Sequence, residues 1–141
     1  MQYVIDASVV MKWFLPELHK EKADTLLQGF LYRGLNLTAP DVLAAEVGNV
    51  LWKRSVLTRE ISVSEAKESY LDFLNLGMPL ESTSLIAEEA FRLATEEQHP
   101  VYDTLYVSLA LSRGCELVTA DETLVRKLGN KFPQIRSLGS L

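Results

Sequence analysis

Four acids in this 141-residue chain, Asp6, Glu46, Asp103 and Asp121, stand where a sheet edge could gather them. Asp6 directly follows the β-favouring run Tyr3-Val4-Ile5, and Asp121 comes two residues after a similar run ending at Thr119. Asp103 lies at the start of the nearly all-apolar stretch Tyr102 to Arg113, and Glu46 lies one turn into an apolar helical segment that follows Pro40. Carboxylates held within about 4–6 Å repel one another, and their pKa values rise unless a cation compensates. Hard oxygen donors suit Mg²⁺ or Mn²⁺ rather than zinc. The chain offers no zinc set, with one cysteine (Cys115) and two histidines, His19 and His99, far apart. A carboxylate-held ion of this kind keeps waters and meets substrate phosphates. It can lower the pKa of a bound water and steady both oxygens of an in-line displacement at phosphorus. The chemistry indicated is phosphodiester hydrolysis with water as nucleophile, leaving 3′-hydroxyl and 5′-phosphate ends.

Each acid also has a purely structural explanation. Asp6 and Asp121 both stand between a strand and a helix, where an N-cap falls. Asp103 could favour the N-terminal dipole of its helix, although a carboxylate on so apolar a helix needs a partner or a metal. Glu46 sits at the edge of a face packed by Leu43, Val47, Val50 and Leu51. Lys53 is seven residues on, too far for a good ion pair, so a solvated glutamate is the plain alternative. Four such explanations would have to coincide on one edge of one sheet.

The elements that must position these acids follow from periodicity and turn signals. Strands are expected at Tyr3–Ile5, Leu35–Ala39, Met78–Glu81, Glu116–Thr119 and Ile135–Leu138. Helices are expected from Val9 to Leu15, stopped by Pro16, and from Glu17 to Arg33, with Ala23, Leu26, Leu27, Phe30 and Leu31 on one face and Gly34 as its stop. A further helix opens at Pro40 or Asp41 and runs to about Val56, and another is capped by Ser62 or Ser64 and runs to about Leu76. The last three follow Ser82-Thr83-Ser84 to about Glu97, run from Tyr102 to Arg113, and from Asp121 to Leu128. The order β-α-α-β-α-α-β-α-α-β-α-β separates every strand by helix, which implies crossover connections, a mostly parallel sheet and helices on both faces. Ligands of such sheets bind beyond the carboxyl ends of the strands.

Length fits a single domain spanning residues 1–141. Apolar residues make up 48% and charged residues 23%, which argues against disorder. No apolar run approaches a bilayer span, so no membrane helix is expected. Met1 to Asp6 lacks a basic region and does not read as a signal peptide. A lone cysteine fits a reducing cytoplasm. A net charge of −5 argues against broad, charge-driven nucleic-acid binding. A local cationic rim remains open, with Lys12, Lys53, Arg54, Arg126 and Lys127 as candidates. Trp13, Phe14 and Trp52 are either core or an apolar contact surface.

The acids come in recognisable surroundings. Val4-Ile5-Asp6-Ala7-Ser8, Glu46 on a helix after Ala39-Pro40, Val101-Tyr102-Asp103-Thr104-Leu105-Tyr106, and Leu117-Val118-Thr119-Ala120-Asp121 resemble, in order and spacing, the four motifs of PIN domains. The resemblance covers essentially the whole chain and points to the VapC-type toxins of toxin–antitoxin pairs. It implies a three-layer α/β/α fold and Mg²⁺- or Mn²⁺-dependent endoribonuclease activity. It also implies that Asp6, Glu46, Asp103 and Asp121 hold the metal, with RNA as substrate, a cognate antitoxin as partner and a homodimer or higher homo-oligomer. Ser8 and Thr119 match positions where such proteins carry hydroxyls that support the acids. Asn49, one turn after Glu46, is a candidate donor behind them.

Other readings are separable. A haloacid-dehalogenase-type phosphatase would need a second Asp where Ser8 stands, and a receiver domain would need a lysine where Thr119-Ala120-Asp121 supplies none. A PIN-fold nuclease of RNA processing and a non-catalytic PIN-fold interaction module share the motifs. Retention of all four acids weighs against the second.

Overall fold

The computed structural model describes residues 1–141. Five strands alternate with seven α-helices in the expected order: β1 (Gln2–Ile5), α1 (Ala7–Phe14), α2 (Lys20–Tyr32), β2 (Asn36–Pro40), α3 (Val42–Trp52), α4 (Val63–Leu74), β3 (Leu80–Glu81), α5 (Thr83–Glu97), α6 (Val101–Arg113), β4 (Glu116–Thr119), α7 (Glu122–Leu128) and β5 (Ile135–Ser137). The strands form one sheet in the order β3-β2-β1-β4-β5, and every neighbouring pair is parallel, not merely most of them. Both faces are covered. Val4 and Ile5 on β1, and Leu117 and Val118 on β4, point alternately to opposite faces, yet each is wholly buried.

The chain leaves the central strand β1 toward β2 and β3, then crosses to β4 and β5 on its other side. That reversal leaves a crevice at the carboxyl ends of β1 and β4, the place where ligands enter such sheets. Asp6 ends β1, and Ile5 pairs with Val118 one residue before Thr119. The registers therefore bring the first and fourth motifs level. Helix α6 packs against β1, β2 and β4, and α5 packs against α6. On α6 the residues from Thr104 to Ala110 are all buried, as its apolar sequence requires.

Several boundaries differ from expectation for local reasons. The helix expected from Glu17 starts only at Lys20, because His19 is in the left-handed region (φ 63°). Lys20 then donates its ammonium to the carbonyls of Lys12 and Trp13 at the end of α1, at 2.9 and 3.1 Å. Leu31, expected on the packed face of α2, is exposed. The helix after β2 does not run on as α to Val56; past Trp52 it widens into a π-turn, Lys53–Leu57. The helix after that one begins with a complete capping box, in which Ser62 accepts from Glu65 and Glu65 returns the bond. Met11 and Trp13 are core, Phe14 is half-buried and Trp52 is 49% exposed. No helix is long and apolar enough to cross a membrane.

Candidate active site

Asp6 is both a helix cap and the centre of the site. It is the N-cap of α1, and its Oδ1 accepts from the Ser8 backbone N–H at 3.1 Å and from the Ser8 hydroxyl at 2.5 Å. Its Oδ2 accepts from the Thr119 hydroxyl at 2.5 Å. Each hydroxyl also accepts a backbone N–H just past β4: Ser8 Oγ from Ala120 at 2.9 Å and Thr119 Oγ1 from Asp121 at 3.0 Å. Two hydroxyl relays thus lock the end of β1 to the end of β4, with Asp6 as the shared acceptor. Thr119 is fully buried. Both residues hold the acid as the resemblance implies.

Glu46 and Asp103 are each held by one ring. The Tyr106 hydroxyl donates to Glu46 Oε1 at 2.7 Å, with Tyr106 itself buried in α6. From the link before α6, His99 Nε2 lies 2.7 Å from Asp103 Oδ2, and the His99 side chain is only 7% exposed. The three acids sense one another. Burial pushes Asp6 up to about 6 against the opposing bonds from Ser8 and Thr119, and the Asp103 charge adds to the rise. Burial raises Glu46, Tyr106 opposes that rise, and Asp6 and Asp103 reinforce it. Burial and the Glu46 charge hold the Tyr106 hydroxyl protonated far above its ordinary range, so it remains a donor to Glu46.

Asp121 stands apart. It caps α7, accepting through Oδ1 from Thr123 and Leu124 at 3.0 and 3.2 Å. It is exposed, and it touches the site through its backbone N–H on Thr119. For this acid the cap accounts for the observed contacts.

The coupled acids Asp6, Glu46 and Asp103 supply hard oxygens only, which suits Mg²⁺ or Mn²⁺. Burial, reinforced by neighbouring carboxylate charge, raises Asp6 and Glu46, and a bound cation would oppose that rise. No three acid, histidine or cysteine groups converge into a ready-made ligand cluster. Water would complete the shell of such an ion, as is usual for Mg²⁺. On donor chemistry the residues fit the ion.

The remaining candidates divide. Lys12 is not a solvated rim cation: it is 8% exposed and lies 3.4 Å from Glu17. It lines a cavity of about 300 Å³ beside Ser8 and Ala120, together with Arg54. Arg54 is tied to Glu17 at 3.1 Å and to Glu60 at 2.8 Å. Lys53 is exposed on the π-turn. Arg126 and Lys127 are exposed in the last turn of α7. Asn49 supports none of the acids; it is exposed, bonds none of them, and lines a separate cavity beside Glu46. Sequence reasoning overlooked Tyr106 and His99. A buried phenol on an apolar helix needs a hydroxyl partner, a signal present in the sequence. His99 stands in the link before Pro100 and α6, where helical spacing gives no guide.

Residues 3–129 match the model of the PIN domain family. The chain belongs to that family. It is 34% identical over 137 residues to Ribonuclease VapC3 of Pyrobaculum aerophilum, covering 96% of this chain and 98% of that one. Among solved structures it is similar to the crystal structure of PAE2754 from Pyrobaculum aerophilum, with a TM-score of 0.68 and 26% identity, covering 99% of this chain and 94% of that one.

Proposed function

We propose that this chain is an endoribonuclease that hydrolyses RNA phosphodiesters with Mg²⁺ or Mn²⁺, and that it serves as the toxin of a VapBC-type pair in the cytoplasm. The observation that carries this reading is Asp6 at the carboxyl end of β1, locked through Ser8 and Thr119 to the end of β4, with the charges of Glu46 and Asp103 near enough to act on the same edge. Kinship to a protein named as a VapC ribonuclease supplies the substrate class. Asp6, Asp103 and Glu46 would hold the ion, with Asp121 reaching it directly or through water. A bound ion supplies a lowered water pKa and neutralises charge at phosphorus. The chain's own residues do the rest. Ser8 and Thr119 fix both oxygens of Asp6. Tyr106 aims Glu46, and His99 orients Asp103. A cognate antitoxin and a second copy of the chain are the protein partners of this reading. The surface around exposed Trp52, an apolar cavity of about 220 Å³ shared with Val56 and Val63, supports such contacts.

The test is cleavage of total RNA by the purified protein in EDTA, in Mg²⁺ and in Mn²⁺. The reading expects cleavage only with a divalent ion and 5′-phosphate products. Undiminished cleavage in EDTA overturns the metal assignment.

A further inference from the structure

Beside Glu46 lies an open cavity of about 460 Å³ lined by Val42, Ala45, Glu46, Asn49 and Tyr102. We propose that this cavity is a nucleobase subsite, in which the Tyr102 ring stacks on a base next to the scissile phosphate and the Asn49 amide reads that base's edge. The proposal rests on the nuclease reading above and names how the same site grips its substrate.

Three features carry it. First, Tyr102 is 60% exposed, directly before Asp103 in the first turn of a helix whose buried stretch begins at Thr104. Its neighbours from Thr104 to Ala110 are spent on the core, whereas its own ring faces an open cavity and its hydroxyl makes no hydrogen bond within the chain. Second, Asn49 is likewise exposed with its amide unengaged, one turn from Glu46 on α3. An amide offers both a donor and an acceptor, the pair that base edges demand. Third, apart from Glu46, which would face the ion, the cavity walls are uncharged. With no lysine or arginine in those walls, a nucleotide's uncharged base is the part that fits them. Val42 and Ala45 add an apolar floor. Single-stranded RNA is gripped in this manner, with splayed bases stacked on aromatic rings and hydrogen-bonded at their edges. The cations lie elsewhere: Lys12 and Arg54 line the cavity beside Ser8.

The experiment uses fluorescence anisotropy of labelled homopolymeric RNA tetramers of A, C, G and U, with wild type, Tyr102→Ala, Tyr102→Phe and Asn49→Ala, in Ca²⁺. Cleavage-site sequencing in Mn²⁺ accompanies it. Tyr102→Ala should weaken binding about 10-fold or more, the scale of one lost stacking partner, whereas Tyr102→Phe should stay within about 2-fold because the ring is retained. Asn49→Ala should relax the base preference at one position next to the cut without abolishing cleavage. Wild type that neither binds nor cuts RNA overturns the nuclease reading and the subsite with it. Wild type that cuts RNA, with Tyr102→Ala unchanged in affinity and cut pattern, overturns the subsite alone and leaves that ring to a protein partner.

Discussion

Replacing Asp6 with Asn should destroy cleavage and at the same time stabilise the metal-free protein. Burial lifts the Asp6 carboxyl from 3.8 to about 6, so its ionised form strains the fold when no cation is present. The folded chain holds this proton more tightly than the unfolded chain does. The stabilising contribution of protonated Asp6 is therefore complete below about pH 4 and is lost as pH rises through about 6. That difference in proton affinity corresponds to about 3 kcal/mol withheld at neutral pH. Asparagine removes the charge but loses part of the network, because its NH₂ cannot accept from the Thr119 hydroxyl as Oδ2 does. One lost hydrogen bond costs about 1 kcal/mol. The net gain is about 2 kcal/mol, or about 7 °C in Tm for a chain of this length. The assay is thermal unfolding of wild type and Asp6→Asn in EDTA from pH 4 to pH 8. The variant should melt higher at pH 7.5, and the gap should close or reverse toward pH 4. Adding Mn²⁺ should raise the wild type more than the variant. If Asp6→Asn melts at or below wild type at pH 7.5, the strained-carboxylate reasoning fails.

Other substitutions separate the roles of the remaining residues. Asp121→Asn should keep the α7 cap and much of the activity, since Asn caps as well as Asp, whereas Asp121→Ala should lose about 1 kcal/mol of stability; equal urea midpoints for the two variants would contradict the cap assignment. Tyr106→Phe removes the donor to Glu46 and should lower kcat about 10-fold, a loss of about 1.4 kcal/mol in the transition state, with stability changed by no more than about 1.5 kcal/mol. Unchanged kcat in single-turnover cleavage would make Tyr106 a purely structural partner.

The fold was largely legible because its signals were local. Strands as short as Tyr3–Ile5 and helices such as Tyr102 to Arg113 announce themselves by β-branched runs, apolar periodicity and glycine stops, and the alternation of the two dictates parallel crossovers. Misjudged boundaries arose where tertiary contacts override propensity. His19 enters the left-handed region while Lys20 turns back to close α1, and the π-turn after Trp52 carries Arg54 to both Glu17 and Glu60. The site was legible as a set of acids but not as a set of bonds. Nothing local ties Ser8 to Thr119, 111 residues away, or Glu46 to Tyr106, 60 residues away. Those pairings depend on the strand register and on how α3 and α6 approach the same sheet edge. Lys12 misled for the same reason, because only the packed chain shows it buried against Glu17.

The most direct test of the central claim is 5′-end sequencing of total cellular RNA after incubation with the purified protein and Mn²⁺, with Asp103→Asn as control. The account predicts new, sequence-restricted 5′-phosphate ends that vanish in the variant. Ends that persist at wild-type rate in Asp103→Asn would contradict the assignment of the site, and the absence of any new ends with the wild type would contradict the activity itself.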